Sequence, residues 1–205
     1  MGKVYKPIVL ISGKQGSGKS TLAEGIYRAA FLSGWMPHKV KFAEVIYALH
    51  DACLPILKLY GIRPEEMHKD GELLQVLGTE YGRKLLGENV WAKATRKYVE
   101  RNLGQRQLFI IDDARFENEF DAFPDALTIR LNAPADIRKE RCSYWRTDEK
   151  HASEIGLDAY AKAGKFDITL QTTFKSSLDV QNFVLNALAE KLRDPTFLRT
   201  IESAQ

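Results

Sequence analysis

The sequence predicts an α/β fold in which a mostly parallel sheet of five strands is flanked by helices. Two observations predict it. Apolar runs of strand length alternate with segments of helical period, and the first run opens directly into a glycine-rich turn followed by a helix. The first strand is "YKPIVLIS" (5–12), an apolar run that reads as buried. The second is "HKVKFA" (38–43), the third "RQLFIIDD" (106–113), the fourth "ALTIRLNA" (126–133) and the fifth "FDITLQTT" (166–173). Helices are expected from Lys19, Glu44, Glu72, Phe116 and Asp136. The last helix, "SLDVQNFVLNALAEKL", carries Val180, Phe183, Val184, Ala187 and Leu188 at amphipathic spacing and should pack on the sheet.

Composition narrows the classes. The 205 residues suffice for one α/β domain with a sizeable core, and 30 basic against 27 acidic residues leave a net charge of only +3, dispersed along the chain. A general nucleic-acid surface is therefore not expected. Cys53 and Cys142 have no metal-like spacing and suit a reduced, cytoplasmic protein, while the apolar run near the N-terminus is too short for a signal peptide or membrane span.

Ligands of open α/β sheets sit at the carboxyl ends of the strands, so the loops after Ser12, Ala43, Asp113, Ala133 and Thr173 are where chemistry should lie. The first is "GKQGSGKST" (13–21): Gly13, four residues, then Gly18-Lys19-Ser20, in strand–loop–helix context. Such a loop wraps backbone N–H groups around phosphates, and the helix N-terminus adds partial positive charge. Gly13, Gly16, Ser17, Gly18, Lys19, Ser20 and Thr21 are the expected ATP contacts, with Lys19 reaching the β- and γ-phosphates and the Ser20 hydroxyl ligating Mg²⁺. A dinucleotide fingerprint fails because Thr21 stands where the third glycine belongs, and no Asn-Lys-x-Asp tetrapeptide supports a GTPase.

A phosphotransferase needs a second anion site. In "ELLQVLGTEYGRKLLGENVW" (72–91), read as a helix, Leu74, Leu77, Tyr81 and Leu85 share one face, and Gln75, Thr79 and Arg83 share a roughly opposite one. Gly78 and Gly82 beside the polar stripe imply that something approaches the backbone closely, and a nucleotide would do so. In "FIIDDARFENE", Asp113 at the sheet edge could hold Mg²⁺ through water with Arg115 beside it for phosphate; the plainer alternative is a helix cap with an Arg–Glu pair to Glu117 or Glu119. "DIRKERCSYWR" sets Arg138 and Arg141 on one helical face with Arg146 beyond, a pattern that suits a closing lid as well as a solvated helix.

Taken together, "SGKQGSGKST", "FAE" (42–44), "LLQVLGTEYGR" with "VW" (90–91), "IIDDARFENE" and "HASEIGL" (151–157) resemble the bacteriophage deoxynucleoside monophosphate kinases. The resemblance spans most of the chain and is most specific in the Leu-Gln-x-x-Gly-Thr-Glu segment. It implies a three-layer P-loop kinase fold over 1–205, with acceptor-binding helices at about 44–103 and a lid insertion at about 136–160. The implied activity is transfer of the ATP γ-phosphoryl to a deoxynucleoside monophosphate with Mg²⁺, in the cytoplasm, or the host cytoplasm if viral. The implied acceptor residues are Gln15, Glu44, Gln75, Gly78, Thr79, Arg83, Trp91 and Arg115, and the catalytic set is Lys19, Asp113, Arg115, Arg138 and Arg141. His151 fits the family pattern. Tyr47, where the family often has lysine, and Gly71 and Glu72, where some members carry arginine, are departures that leave acceptor phosphate binding to Arg83 and Arg115. Expected partners are ATP and the monophosphate, with a homodimer left open and no membrane or nucleic acid. The rivals are a dephospho-coenzyme A kinase-like enzyme and a partner-stimulated ATPase.

Overall fold

A computed structural model describes residues 5–142, 145, 156–173 and 176–195. Five strands, β1 (Ile8–Gly13), β2 (Met36–Val40), β3 (Gln107–Ile111), β4 (Leu127–Asn132) and β5 (Ile168–Gln171), form one sheet in the order β2-β3-β1-β4-β5, and every pairing is parallel. The central β1 is buried along its whole length, as expected where both faces are covered. Its period of two divides the core. Val9 and Ile11 join Leu108, Ile110 and Ile129 on one face, beneath α1 (Lys19–Leu32) and α8 (Ser177–Leu192). Ile8 and Leu10 join Phe109 and Ile111 on the other, beneath α4 (Val90–Asn102), α5 (Glu117–Asp121) and α7 (Asp158–Lys162). The result is three layers.

Two expectations need correcting here. In α8 the buried stripe is Val180, Val184, Leu185, Leu188 and Ala189, whereas Phe183 is 48% exposed, because the helix meets α1 on the Leu185 side. The second strand ends at Val40 instead of 43, since the N–H groups of Phe42 and Ala43 turn to the Asp113 carboxylate at 3.0 and 3.2 Å. An N–H committed to a side chain seventy residues on no longer serves a strand ladder.

Between β2 and α4 the chain forms an arm: α2 (Glu44–Leu59), α3 (Gly71–Gln75) and a π-helical segment, Val76–Leu86. Within α2 only His50 and Leu54 are buried. Asp70 caps α3 through Leu73 N–H and pairs with Arg63, and its own N–H donates to His50 Nε2, so the connecting loop is tied down by buried polar contacts. The wide turns of the π segment follow from Trp91. Its indole lies where a Cβ on Gly82 would have to go, and its Nε1–H donates to the Gly78 carbonyl at 2.9 Å, giving that carbonyl a partner outside the helix. The side that Leu74, Leu77, Tyr81 and Leu85 share is not core: Tyr81 and Leu85 are exposed.

Candidate functional site

The carboxyl ends of β2, β3, β1 and β4 lie level, Val40 beside Ile111, Ile111 beside Leu10, and Gly13 beside Leu131, so four loops meet at one edge. The phosphate loop is at its centre. Lys19 Nζ donates to the Gly13 and Lys14 carbonyls at 2.7 and 3.0 Å, which draws the ammonium over the loop. Gly18 precedes α1 without a side-chain cap and no acidic residue stands in the first turn, so the helix N-terminus keeps its N–H groups and its partial charge for an anion. Gly16 is required twice: its φ of 77° is left-handed, and a Cβ there would strike the Arg138 carbonyl. Ser20 and Thr21 open α1 and are exposed, while Ser17 is buried.

The two arginines expected on a lid have other tasks here. Arg138, in α6 (Ala135–Glu140), is 5% exposed and donates through Nε to Ala133 O and through a terminal nitrogen to Gln15 O, both at 3.1 Å, bracing the phosphate loop from behind. Arg141 donates to Thr172 Oγ1 at 3.1 Å and to Thr172 O at 2.8 Å, and Thr172 Oγ1 in turn donates to Ser17 O. These two residues, with Thr21, Leu22, Leu131 and Val180, wall a cavity of about 200 Å³ between α1, β4 and α8. It has the size and mixed lining for a nucleobase next to the loop. Arg146 and His151, at the centre of the expected lid, lie outside the described residues, as does part of "TTFKSS".

On the arm side, the structure gathers Asp113, Arg115, Phe116, Glu119 and Arg83. Both Asp113 oxygens accept backbone N–H groups, yet burial still pushes its carboxyl above the usual range. Glu119 is 4% exposed and accepts the N–H groups of Arg115 at 2.6 Å and Phe116 at 3.1 Å. Burial raises its pKa to about 7; the two N–H donors and Arg83 oppose the rise and nearby Asp113 adds to it. The Arg83 guanidinium lies over the Phe116 ring at 4.2 Å, with a terminal nitrogen 3.7 Å from Glu119 Oε1. Asn118 ties α5 to the start of α4, its Nδ2 donating to Asn89 Oδ1 at 2.7 Å.

The remaining expected contacts are less gathered. Gln75 is exposed and Thr79 half-buried along the arm; Glu44 is exposed and faces a separate cleft of about 240 Å³ with Lys41 and Tyr98. Trp91 is 6% exposed and is what approaches Gly82, a place the sequence had offered to a nucleotide; Ile46 is what lies nearest Gly78. For Mg²⁺, which binds through one or two protein groups plus phosphates and water, the donors are adequate: the Ser20 hydroxyl is open and Asp113 keeps lone pairs for bound water. Among the described residues no cluster of three His, Cys, Asp or Glu could hold a metal alone.

Sequence reading missed two groups. Glu119 had been visible only as half of an Arg–Glu pair. Lys14, Arg130 and Asp158 gave no signal, yet Asp158 bridges Lys14 and the buried Arg130 at 3.1 Å each, beside a cavity of about 340 Å³. No helix of the described residues is long and apolar enough to cross a membrane, and both cysteines are free thiols.

Neither a protein-family profile nor a curated protein matches the sequence. Among solved structures the chain is similar to TT1252 from Thermus thermophilus, with a TM-score of 0.56 and 18% identity over 92% of this chain and 98% of that one. It is also similar to the APS kinase CysC of Mycobacterium tuberculosis in complex with AMPPNP and APS, with a TM-score of 0.50 and 14% identity over 92% and 99%. These likenesses are of fold alone: a five-stranded parallel α/β sheet flanked by helices, matched over nearly the whole of each chain.

Proposed function

We propose that the protein is a deoxynucleoside monophosphate kinase that transfers the ATP γ-phosphoryl group to a dNMP, giving dNDP and ADP. One observation carries the reading. A second cationic site, Arg83 stacked on Phe116, stands at the end of β3, the strand beside the one that runs into the phosphate loop. A GTPase or motor needs one anion site; phosphoryl transfer to a phosphate needs two side by side, so that nucleophile and phosphorus meet without a search.

In this reading the ATP phosphates lie on the loop N–H groups and Lys19, and adenine occupies the cavity walled by Arg141 and Thr172. The acceptor's phosphate is held by Arg83 and Arg115, with Gln15, Gln75 and Thr79 along its path and Trp91 shaping the arm through Gly78 and Gly82, while Glu44, which faces a separate cleft, takes no part. An acceptor phosphate oxygen forms the new bond to the γ-phosphorus as the bond to the β–γ bridging oxygen breaks, and ADP keeps that bridging oxygen. Lys19 meets the charge that develops there, and Arg138 keeps the loop in shape without touching the substrate. Mg²⁺ would be held by the Ser20 hydroxyl and, through water, by Asp113, and would supply charge that neutralises the ATP phosphates. Water must be excluded because it competes as acceptor.

The test is ADP release from Mg·ATP against a panel of dNMPs and NMPs, with Lys19→Ala and Arg115→Ala beside the wild type. Turnover that requires a monophosphate and falls by roughly 100-fold or more in both variants is expected. ADP release indifferent to every monophosphate would refute the reading and leave an ATPase in its place.

A further inference from the structure

Glu119 spends its two oxygens unequally. One accepts the N–H groups of Arg115 and Phe116; the other faces Arg83 at 3.7 Å, which is ion-pair distance and too long for a hydrogen bond. Among the described residues that pair and the Phe116 ring are the contacts of the Arg83 guanidinium, whose five N–H donors therefore form no hydrogen bond there. A guanidinium 29% exposed, fixed in plane by a ring and in direction by a carboxylate, is prepared for bidentate capture of a planar pair of oxygens. Its backbone sits in the π segment, whose turn geometry Trp91 fixes from α4. Asn118 joins α5 to that same helix, so both sides of the pair rest on one support.

We propose that Glu119 is a positioning residue: it holds Arg83 against Phe116 as a stand-in anion, at a distance that leaves the guanidinium N–H groups to be taken by a phosphate monoester. This rests on the reading above that Arg83 faces the acceptor. The groups facing Glu119 are Arg83 from the π segment, Asp113 from the end of β3, and the Arg115 and Phe116 N–H groups before α5. Its raised pKa agrees with the role. When a phosphate engages Arg83, Glu119 loses part of its counter-charge and can take up a proton.

Glu119→Gln keeps an oxygen for the two backbone N–H groups and removes the charge. The expected result is an acceptor KM higher by about tenfold with donor KM unchanged and no fall in Tm. The double variant with Arg83→Ala should be no worse than Arg83→Ala alone, because the two act as a unit. Additive losses, or equal effects on both KM values, would overturn the proposal. A binding arm separates its failure from that of the kinase reading. In protein carrying ¹³C-labelled glutamate, with Glu119→Gln for assignment, saturating inorganic phosphate should raise the titration midpoint of the Glu119 carboxyl, and should leave it in place in Arg83→Ala. A midpoint that does not move in the wild type overturns the proposal whether or not any monophosphate supports turnover.

Discussion

Replacing Glu119 by glutamine should stabilise the protein at alkaline pH and do little at acidic pH. Burial raises this carboxyl from 4.5 to about 7, so between those values the folded state binds more protons than the unfolded chain. Stability from this group is therefore fully present below about 4.5 and is lost as pH rises through about 7. At roughly 1.4 kcal/mol per pH unit, the loss reaches about 3 kcal/mol at pH 8. Glutamine stays neutral throughout and does not incur it. For a chain of this length, with about 2–4 °C per kcal/mol, the Tm of the variant should exceed that of the wild type by up to roughly 6–12 °C at pH 8 and match it near pH 4. Thermal unfolding followed by circular dichroism across that range measures the difference directly. A Tm difference that is flat with pH, or that favours the wild type more as pH rises, would refute the reasoning: the Arg83 pair would then outweigh the cost of burial.

Three further outcomes are expected. Gly82→Ala puts a methyl group into the Trp91 indole and should cost about 1–3 kcal/mol of stability with a changed near-UV signal, despite alanine's better helix propensity; an unchanged Tm would show that the segment is free to rewind. Asp113→Asn swaps one acceptor for a donor opposite the Phe42 and Ala43 N–H groups and should cost about 1–3 kcal/mol, read from chemical denaturation. Arg141→Ala opens one wall of the cavity beside the phosphate loop and should raise the ATP KM roughly tenfold while sparing the acceptor KM, since a charged hydrogen-bond donor is removed from the donor side alone. Equal rises in both KM values would argue against nucleobase binding there.

Much of the architecture was legible because it is written in short-range periods. The run through Ile8–Gly13 and the glycine spacing that follows determine a strand, a loop and a helix start from neighbours alone, and the structure places them there. What escaped depends on partners distant in sequence. The second strand stops at Val40 because of a carboxylate at 113, and the helix containing Gly78 and Gly82 widens because of an indole at 91. Arg138 read as an arginine of a closing lid, but it donates to the Gln15 carbonyl, 123 residues earlier, and to Ala133 O. Phe183 shows a different limit: Val180 and Val184 set the helix phase, and a shift toward Leu185 decides which neighbour is buried. The candidate site was legible in its phosphate loop and in the presence of Arg83 and Arg115, and not in Glu119, whose burial no local pattern announces.

The contact of Gly16 with the Arg138 carbonyl also sets a rule for engineering. The loop and the root of α6 act as one abutment, and Arg141 is pinned to Thr172, so a rotation axis for anything downstream of β4 has to begin after residue 141. Insertions or loop exchanges between β4 and that point would deform the phosphate loop or the cavity wall beside it, whereas a graft beginning beyond it inherits an intact anchor. Position 141 is thus the earliest point after β4 at which this scaffold can be cut and rejoined.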